Sequence, residues 1–188
     1  AATFGNAGGT VQQAGSGMLD ITAANLDGAG GTLVSNGSLS LQGDDIDLRG
    51  GTTSAQRIRI DSERLTTAGG TLTASSTDAL VLQARQQLDN SGGTLAGNGA
   101  LDLRAGTLLN TGGTVQAAGT AASQINVGDA LDNRTGRILV SGDLGIPAAS
   151  LDNQGGTLHT AADLHLDVDG LLNNSNAGLI ASGGDATL

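Results

Sequence analysis

Pairs of aliphatic residues separated by one position recur along the whole chain: Leu19/Ile21, Leu39/Leu41, Ile58/Ile60, Leu80/Leu82, Leu101/Leu103, Ile125/Val127, Leu144/Ile146, Leu164/Leu166 and Ala186/Leu188. A period of two marks a strand that buries one face. Between the pairs stands a second constant, clearest at Leu151-Asp152-Asn153-Gln154-Gly155-Gly156-Thr157-Leu158 and at Leu88-Asp89-Asn90-Ser91-Gly92-Gly93-Thr94-Leu95. It loosens to Leu26-Asp27-Gly28-Ala29-Gly30-Gly31-Thr32-Leu33 and survives as Leu131-Asp132-Asn133-Arg134-Thr135-Gly136-Arg137-Ile138. The position after the second glycine is Thr10, Thr32, Thr52, Thr71, Thr94, Thr114, Arg137, Thr157 and Leu179, with spacings of 22, 20, 19, 23, 20, 23, 20 and 22. The chain is therefore built of nine repeats of about 21 residues.

Glycine pairs and Asn or Asp turns return too often for any helical stripe to persist. Each repeat instead supplies about three short strands: one after the glycines, one at the aliphatic pair and a very short one at Leu-Asp-Asn. Strands this short find no partner within their own repeat, whereas stacked repeats pair each strand with its copy in the next, parallel and in register. The predicted fold is all-β, a parallel β-helix (β-solenoid) of about nine coils running through residues 1–188 as a single unit. With neighbouring strands about 4.8 Å apart, eight steps give a rod of roughly 38 Å.

Stacking turns each repeat position into a column. Asn90, Asn110, Asn133, Asn153 and Asn174 fall in one column, after Gly28, Leu48 and Thr67. Five successive asparagines predict an amide ladder, and Asn also tolerates the left-handed backbone of a coil corner. Thr10, Thr32, Thr52, Thr71, Thr94 and Thr114 form a second column, expected to stack hydroxyls and β-branched stems. Asp27 above Asp47, and Asp132 above Asp152, bring like charges together, so these carboxylates are expected to splay into solvent or accept turn amide hydrogen bonds. The outward position between the aliphatic pairs reads Asp20, Ser40, Arg59, Val81, Asp102, Asn126, Gly145, His165 and Thr187, a varied surface with no regular ladder.

Composition narrows the interior. Phe4 is the only aromatic residue, so burial is spread evenly over small and branched aliphatics rather than gathered around rings. Eighteen acidic residues against eight arginines and no lysine give a net charge of −10, which disfavours nucleic acid and anionic membrane surfaces as partners. Without cysteine there is neither a disulfide nor a thiolate metal site. No apolar run is long enough to insert in a membrane as a helix, and the residues from Ala1 onwards do not read as a charged stretch followed by an apolar one.

The phrase Leu-Asp-Asn-x-Gly-Gly-Thr-Leu followed by Gly-x-Leu-x-Leu resembles the filamentous haemagglutinin repeat, and the resemblance covers essentially all nine coils. It implies a right-handed parallel β-helix belonging to a two-partner-secretion exoprotein, an adhesin or a contact-dependent growth inhibition effector. It further implies secretion through an outer-membrane transporter partner, a place on the bacterial cell surface, and a host or target-cell surface receptor. Nothing here resembles the family's amino-terminal secretion domain or a toxin-like segment, so the chain is expected to be a slice of a longer filament.

Three clusters compete with that structural reading. Asp163, His165, Asp167 and Asp169 share one strand face, but successive same-face residues lie nearly 7 Å apart, too far for three to meet one ion. A solvated face is expected, with no metal or other cofactor. Arg49, Arg57, Arg59 and Arg64 could present a patch to a sulfated glycan, but Asp44, Asp45, Asp47, Asp61 and Glu63 lie among them and favour local ion pairs. Some solenoids cleave polysaccharides, using a basic side chain with acids or paired acids in an aromatic-lined groove. Lacking Lys, Tyr and Trp, and with no Gly-x-Ser-x-Gly or Walker-type motif, this chain is not read as an enzyme and has no assigned catalytic residue. The leading expectation is a structural shaft; the alternative is a receptor- or glycan-binding adhesin module, and an enzyme comes last.

Overall fold

The computed structural model describes residues 2–188, and among them every regular element is a strand. Two parallel sheets run the length of the molecule, one of nine strands and one of 13. The chain winds through both once per repeat, so Thr71–Ala74 pairs with Thr94–Gly97, which pairs with Thr114–Ala117. This is the β-solenoid that the repeat predicts, of about nine coils.

The two-residue period decides which side chains point in. Each strand of the nine-stranded sheet begins at the position after the glycines, and its second residue turns inward: Leu33, Thr53, Leu72, Leu95, Val115, Ile138 and Leu158 are buried, and Val11 and Ile180 in the end coils are partly so. The 13-stranded sheet contributes the aliphatic pairs and a third column, Leu26, Ile46, Leu65, Leu88, Leu108, Leu131 and Leu151. Together they form one continuous apolar core along the axis. Each coil adds only a few aliphatic side chains to it, so stability grows by increments through contact with the coils on either side.

Two expectations about the 13-stranded sheet need correction. Separate strands at the aliphatic pair and at Leu-Asp occur in the first two full coils, as Met18–Thr22 with Asn25–Asp27 and Ser38–Gln42 with Asp45–Asp47. From there they fuse into Arg57–Thr66, Leu80–Asp89, Leu101–Leu109, Ser123–Asp132 and Leu144–Asp152, and after these they are separate again as Leu164–Val168 and Leu172–Asn173. Register shifts after Ala84, Ala105 and Val127 show how the corner is turned. A bulge inserts an unpaired residue and bends the strand, so the chain changes direction without leaving the ladder.

The second correction concerns the coil after Leu101/Leu103. Its matching inward residues are Ser123 and Ile125, two positions earlier than the pair Ile125/Val127: Leu103 pairs with Ile125, Ala105 with Val127 and Ser123 with Leu144. The outward column accordingly passes from Asp102 through Gln124, not Asn126, to Gly145. Hydropathy points to Ile and Val, but Ser123 is fully buried with its Oγ accepting the Leu101 N–H at 3.0 Å. A hydroxyl satisfied in this way can occupy an apolar column.

Candidate functional site

A side-chain network running through successive coils is at the corner where the 13-stranded sheet hands over to the nine-stranded one. Asn90 Nδ2 donates to Asn110 Oδ1 at 2.8 Å, Asn110 to Asn133 at 2.7 Å, Asn133 to Asn153 at 2.6 Å and Asn153 to Asn174 at 2.7 Å. Asn90, Asn110, Asn133 and Asn153 are completely buried. Thr67, the column's preceding member, starts the chain of bonds by donating its hydroxyl to Asn90 Oδ1 at 2.9 Å. At the other end Asn174 Nδ2 turns to the Gly178 carbonyl at 3.0 Å. The same amides also tie adjacent coils to each other, since Asn90, Asn110, Asn133 and Asn153 each donate to the carbonyl of the residue after the glycines one coil on: Thr114, Arg137, Thr157 and Leu179, at 3.1 to 3.2 Å.

Sequence reading missed one member. Asn6 occupies the same column in the first coil and donates to the Thr32 carbonyl at 3.2 Å. Gly28, Leu48 and Thr67 separate it from the other asparagines, and Phe4-Gly5 replaces Leu-Asp before it, so the phrase is disguised. The glycine pair behind it, Gly8-Gly9, was the available signal.

None of the ladder asparagines adopts a left-handed backbone, contrary to expectation. That conformation falls two residues later, at Gly30, Gly50, Gly69, Gly92, Gly112 and Gly155, with φ from 61° to 64°. Gly93 N–H closes a four-residue turn on the Asn90 carbonyl at 2.9 Å, and a turn with positive φ at its third residue asks for glycine there. Thr135 takes that place in one coil with φ 53°. The second glycine has a different task. A Cβ on Gly113 would stand 2.2 Å from the Asn90 carbonyl oxygen and 2.6 Å from Asn110 Oδ1. The first glycine turns the chain, and the second leaves room for the ladder.

The threonine column is in register from Thr10 through Thr32, Thr52, Thr71, Thr94 and Thr114 to Arg137, Thr157 and Leu179. Among the described residues no hydroxyl bonds another within it, and the stacking lies in the backbone. Thr114 N–H donates to the Gly93 carbonyl at 2.8 Å while its own carbonyl receives Asn90. The side chain faces outward, which is why Arg137 and Leu179 can stand in the same column.

The carboxylates beside the ladder accept turn amides. Asp27, Asp47, Asp89, Asp132 and Asp152 each receive the N–H two residues on, at 2.9 to 3.2 Å. Arg49 and Arg134 fold back onto Asp47 and Asp132 as close ion pairs of 2.5 and 2.6 Å. Burial alone would raise the Asp132 carboxyl, but hydrogen bonds from the Arg134 side chain and backbone, its charge and a bond from Thr111 together hold it below the usual carboxylate range.

Most arginines are engaged locally. Arg57 meets Asp78, Arg64 meets Asp45, Arg85 meets Asp61 and Glu63, and Arg104 meets Asp102. Only Arg59 and Arg137 make no ion pair among the described residues. Asp163, His165, Asp167 and Asp169 are exposed on one face while Leu164 and Leu166 are buried beneath them. Asp143 and Asp163 form a column with Asp185 in which each carboxylate accepts the amide of the aspartate above, at 3.2 and 2.8 Å.

The haemagglutinin repeat family matches at residues 14–92, 67–134 and 120–188, three overlapping stretches that reach the last residue. The chain belongs to this family. No curated protein and no solved structure matches it. Haemagglutinin-repeat proteins are structural, adhesin-type and extracellular or surface-exposed rather than enzymatic, and the corner network is the physical form that the repeat takes here.

Proposed function

We propose that this haemagglutinin-repeat chain is the shaft of a bacterial surface exoprotein, holding an adhesive or toxin-bearing region away from the producing cell. It would leave that cell through an outer-membrane transporter partner and reach a receptor on a host or target cell through regions beyond the shaft. The supporting observation is the unbroken line of buried amide bonds from Thr67 to Asn174, which locks successive coils together. A network committed to coil-to-coil contact serves length and rigidity, and the local pairing of six of the arginines leaves little free cationic surface for an anionic glycan.

Binding by the isolated chain tests this reading against an adhesin module. Beads coated with residues 1–188 should adhere to host or target cells no better than uncoated beads. Saturable, competable adhesion would transfer the function to the solenoid surface itself.

A further inference from the structure

The charge of this molecule is segregated by face. All 18 acidic side chains lie outside the nine-stranded sheet, although that sheet is a continuous side of the rod. Its outward positions are the threonine column and the residue two further on, which reads Gln12, Val34, Ser54, Thr73, Ala96, Gln116, Leu139, His159 and Ala181. Arg137 is the only Asp, Glu, Lys or Arg among its strands. Everything else on the surface carries a net charge more negative than the chain's own −10, because Arg137 subtracts one positive charge from it.

We propose that this face is an interface between two copies of the chain, packed sheet against sheet with the rods side by side. Two rods of net charge −10 repel wherever carboxylates face each other. The nine-stranded sheet is the one side on which they can approach without bringing acids together. Thr, Ser, Ala and Val fill most of its outward positions, with Gln12, Gln116, Arg137, Leu139, His159 and Leu179 the longer side chains, so two such surfaces can close to about the 10 Å of ordinary sheet-on-sheet packing. In a twofold arrangement the middle strand, Thr94–Gly97, lies opposite itself, and Ala96 faces the partner's centre. Strands about 4.8 Å apart and residues about 3.3 Å long give nine four-residue strands a face of roughly 500 Å². That is below the roughly 800 Å² per partner of a stable complex. The pairing of nine coils is therefore weak and reversible, and it strengthens as more coils of the same character are added. It goes beyond the shaft reading, since a shaft can work as a single rod.

Sedimentation velocity of the chain between about 10 μM and about 1 mM protein should show reversible dimer growing with concentration. Raising salt from about 10 mM to about 150 mM should strengthen it by screening the carboxylates. Ala96→Glu, which sets like charges opposite each other, should leave the protein monomeric at every concentration, while Gln124→Glu on the other sheet makes the same change in charge and leaves the dimer intact. Circular dichroism of both variants confirms the fold. Because the protein has no cysteine, Ala96→Cys should also be cross-linked by a short bismaleimide where Gln124→Cys is not. A chain that stays monomeric, a dimer weakened equally by both glutamates, or scattering from end-to-end rods of doubled length would each overturn the pairing. So would a monomer that insoluble neutral polysaccharide retains through this face.

Discussion

At the residue scale the amide ladder makes a graded prediction. Asn133→Ala strands the buried Oδ1 of Asn153 and reduces Asn110 Nδ2 to its bonds with the Gly113 and Arg137 carbonyls, and should lower unfolding free energy by roughly 1–3 kcal/mol. Asn174 is exposed and ends the line, and its loss leaves Asn153 Nδ2 still bonded to the Gly156 and Leu179 carbonyls. Asn174→Ala should cost under about 1 kcal/mol in the same urea titrations, and equal losses would count against the ladder. The ion pair beside it has a pH signature. An unfolded aspartate titrates near pH 3.9, and Asp132 is held below its ordinary value in the fold. Its contribution is complete above about pH 4 and lost as pH falls through the lower folded value. Urea midpoints of Arg134→Ala should lie below those of the parent at pH 7 and converge with them toward pH 2; a constant gap would remove the pair from the acid transition. The asparagines themselves were legible in the sequence because one residue type returned at one interval. The division of labour between the two glycines was not, because positive φ and close approach to a neighbouring coil leave the same letter.

Between coils, pairing geometry outranks hydropathy. Ser123 shows this, because it fills the inward place held by Leu101 below and Leu144 above. Ser123→Ala keeps the backbone and removes the acceptor of the Leu101 amide, so that N–H should exchange with solvent markedly faster while amides two coils away keep their protection. The expected cost is about 1–3 kcal/mol for a buried donor left unpaired. An unchanged Leu101 exchange rate would mean that the hydroxyl is not what holds that amide. Scanning for two aliphatics finds Ile125 and Val127 first, since nothing in a lone serine announces that a backbone donor waits beside it. The fused strands were hidden for a related reason. A bulge is visible only when two strands are laid side by side, because its extra residue has no chemical signature of its own, as Arg85-Gln86 in one coil and Gly128-Asp129 in another demonstrate.

For the molecule as a whole, the architecture was the most legible level, because nine imperfect copies average out the departures of any one. The same redundancy makes the rod modular. Removing residues 91–110 joins Asn90 directly to Thr111-Gly112-Gly113, deleting the strands Thr94–Gly97 and Leu101–Leu109 and restoring the phrase at the junction. Asn90 would then meet Asn133 as its next ladder partner, and Leu80–Asp89 would meet Ser123–Asp132. Each coil touches only its neighbours, so the shortened chain loses one coil and one interface and keeps every other. It should fold, unfold cooperatively, and show a urea m-value smaller by about one part in nine, since that slope follows the surface exposed on unfolding. Removing only residues 91–100 deletes the single strand Thr94–Gly97 and brings the following strand to the wrong sheet. That variant should lose the parallel register beyond the junction and bind hydrophobic dyes. If both deletions unfolded the chain alike, the coils would not be interchangeable units and stability could not accumulate coil by coil.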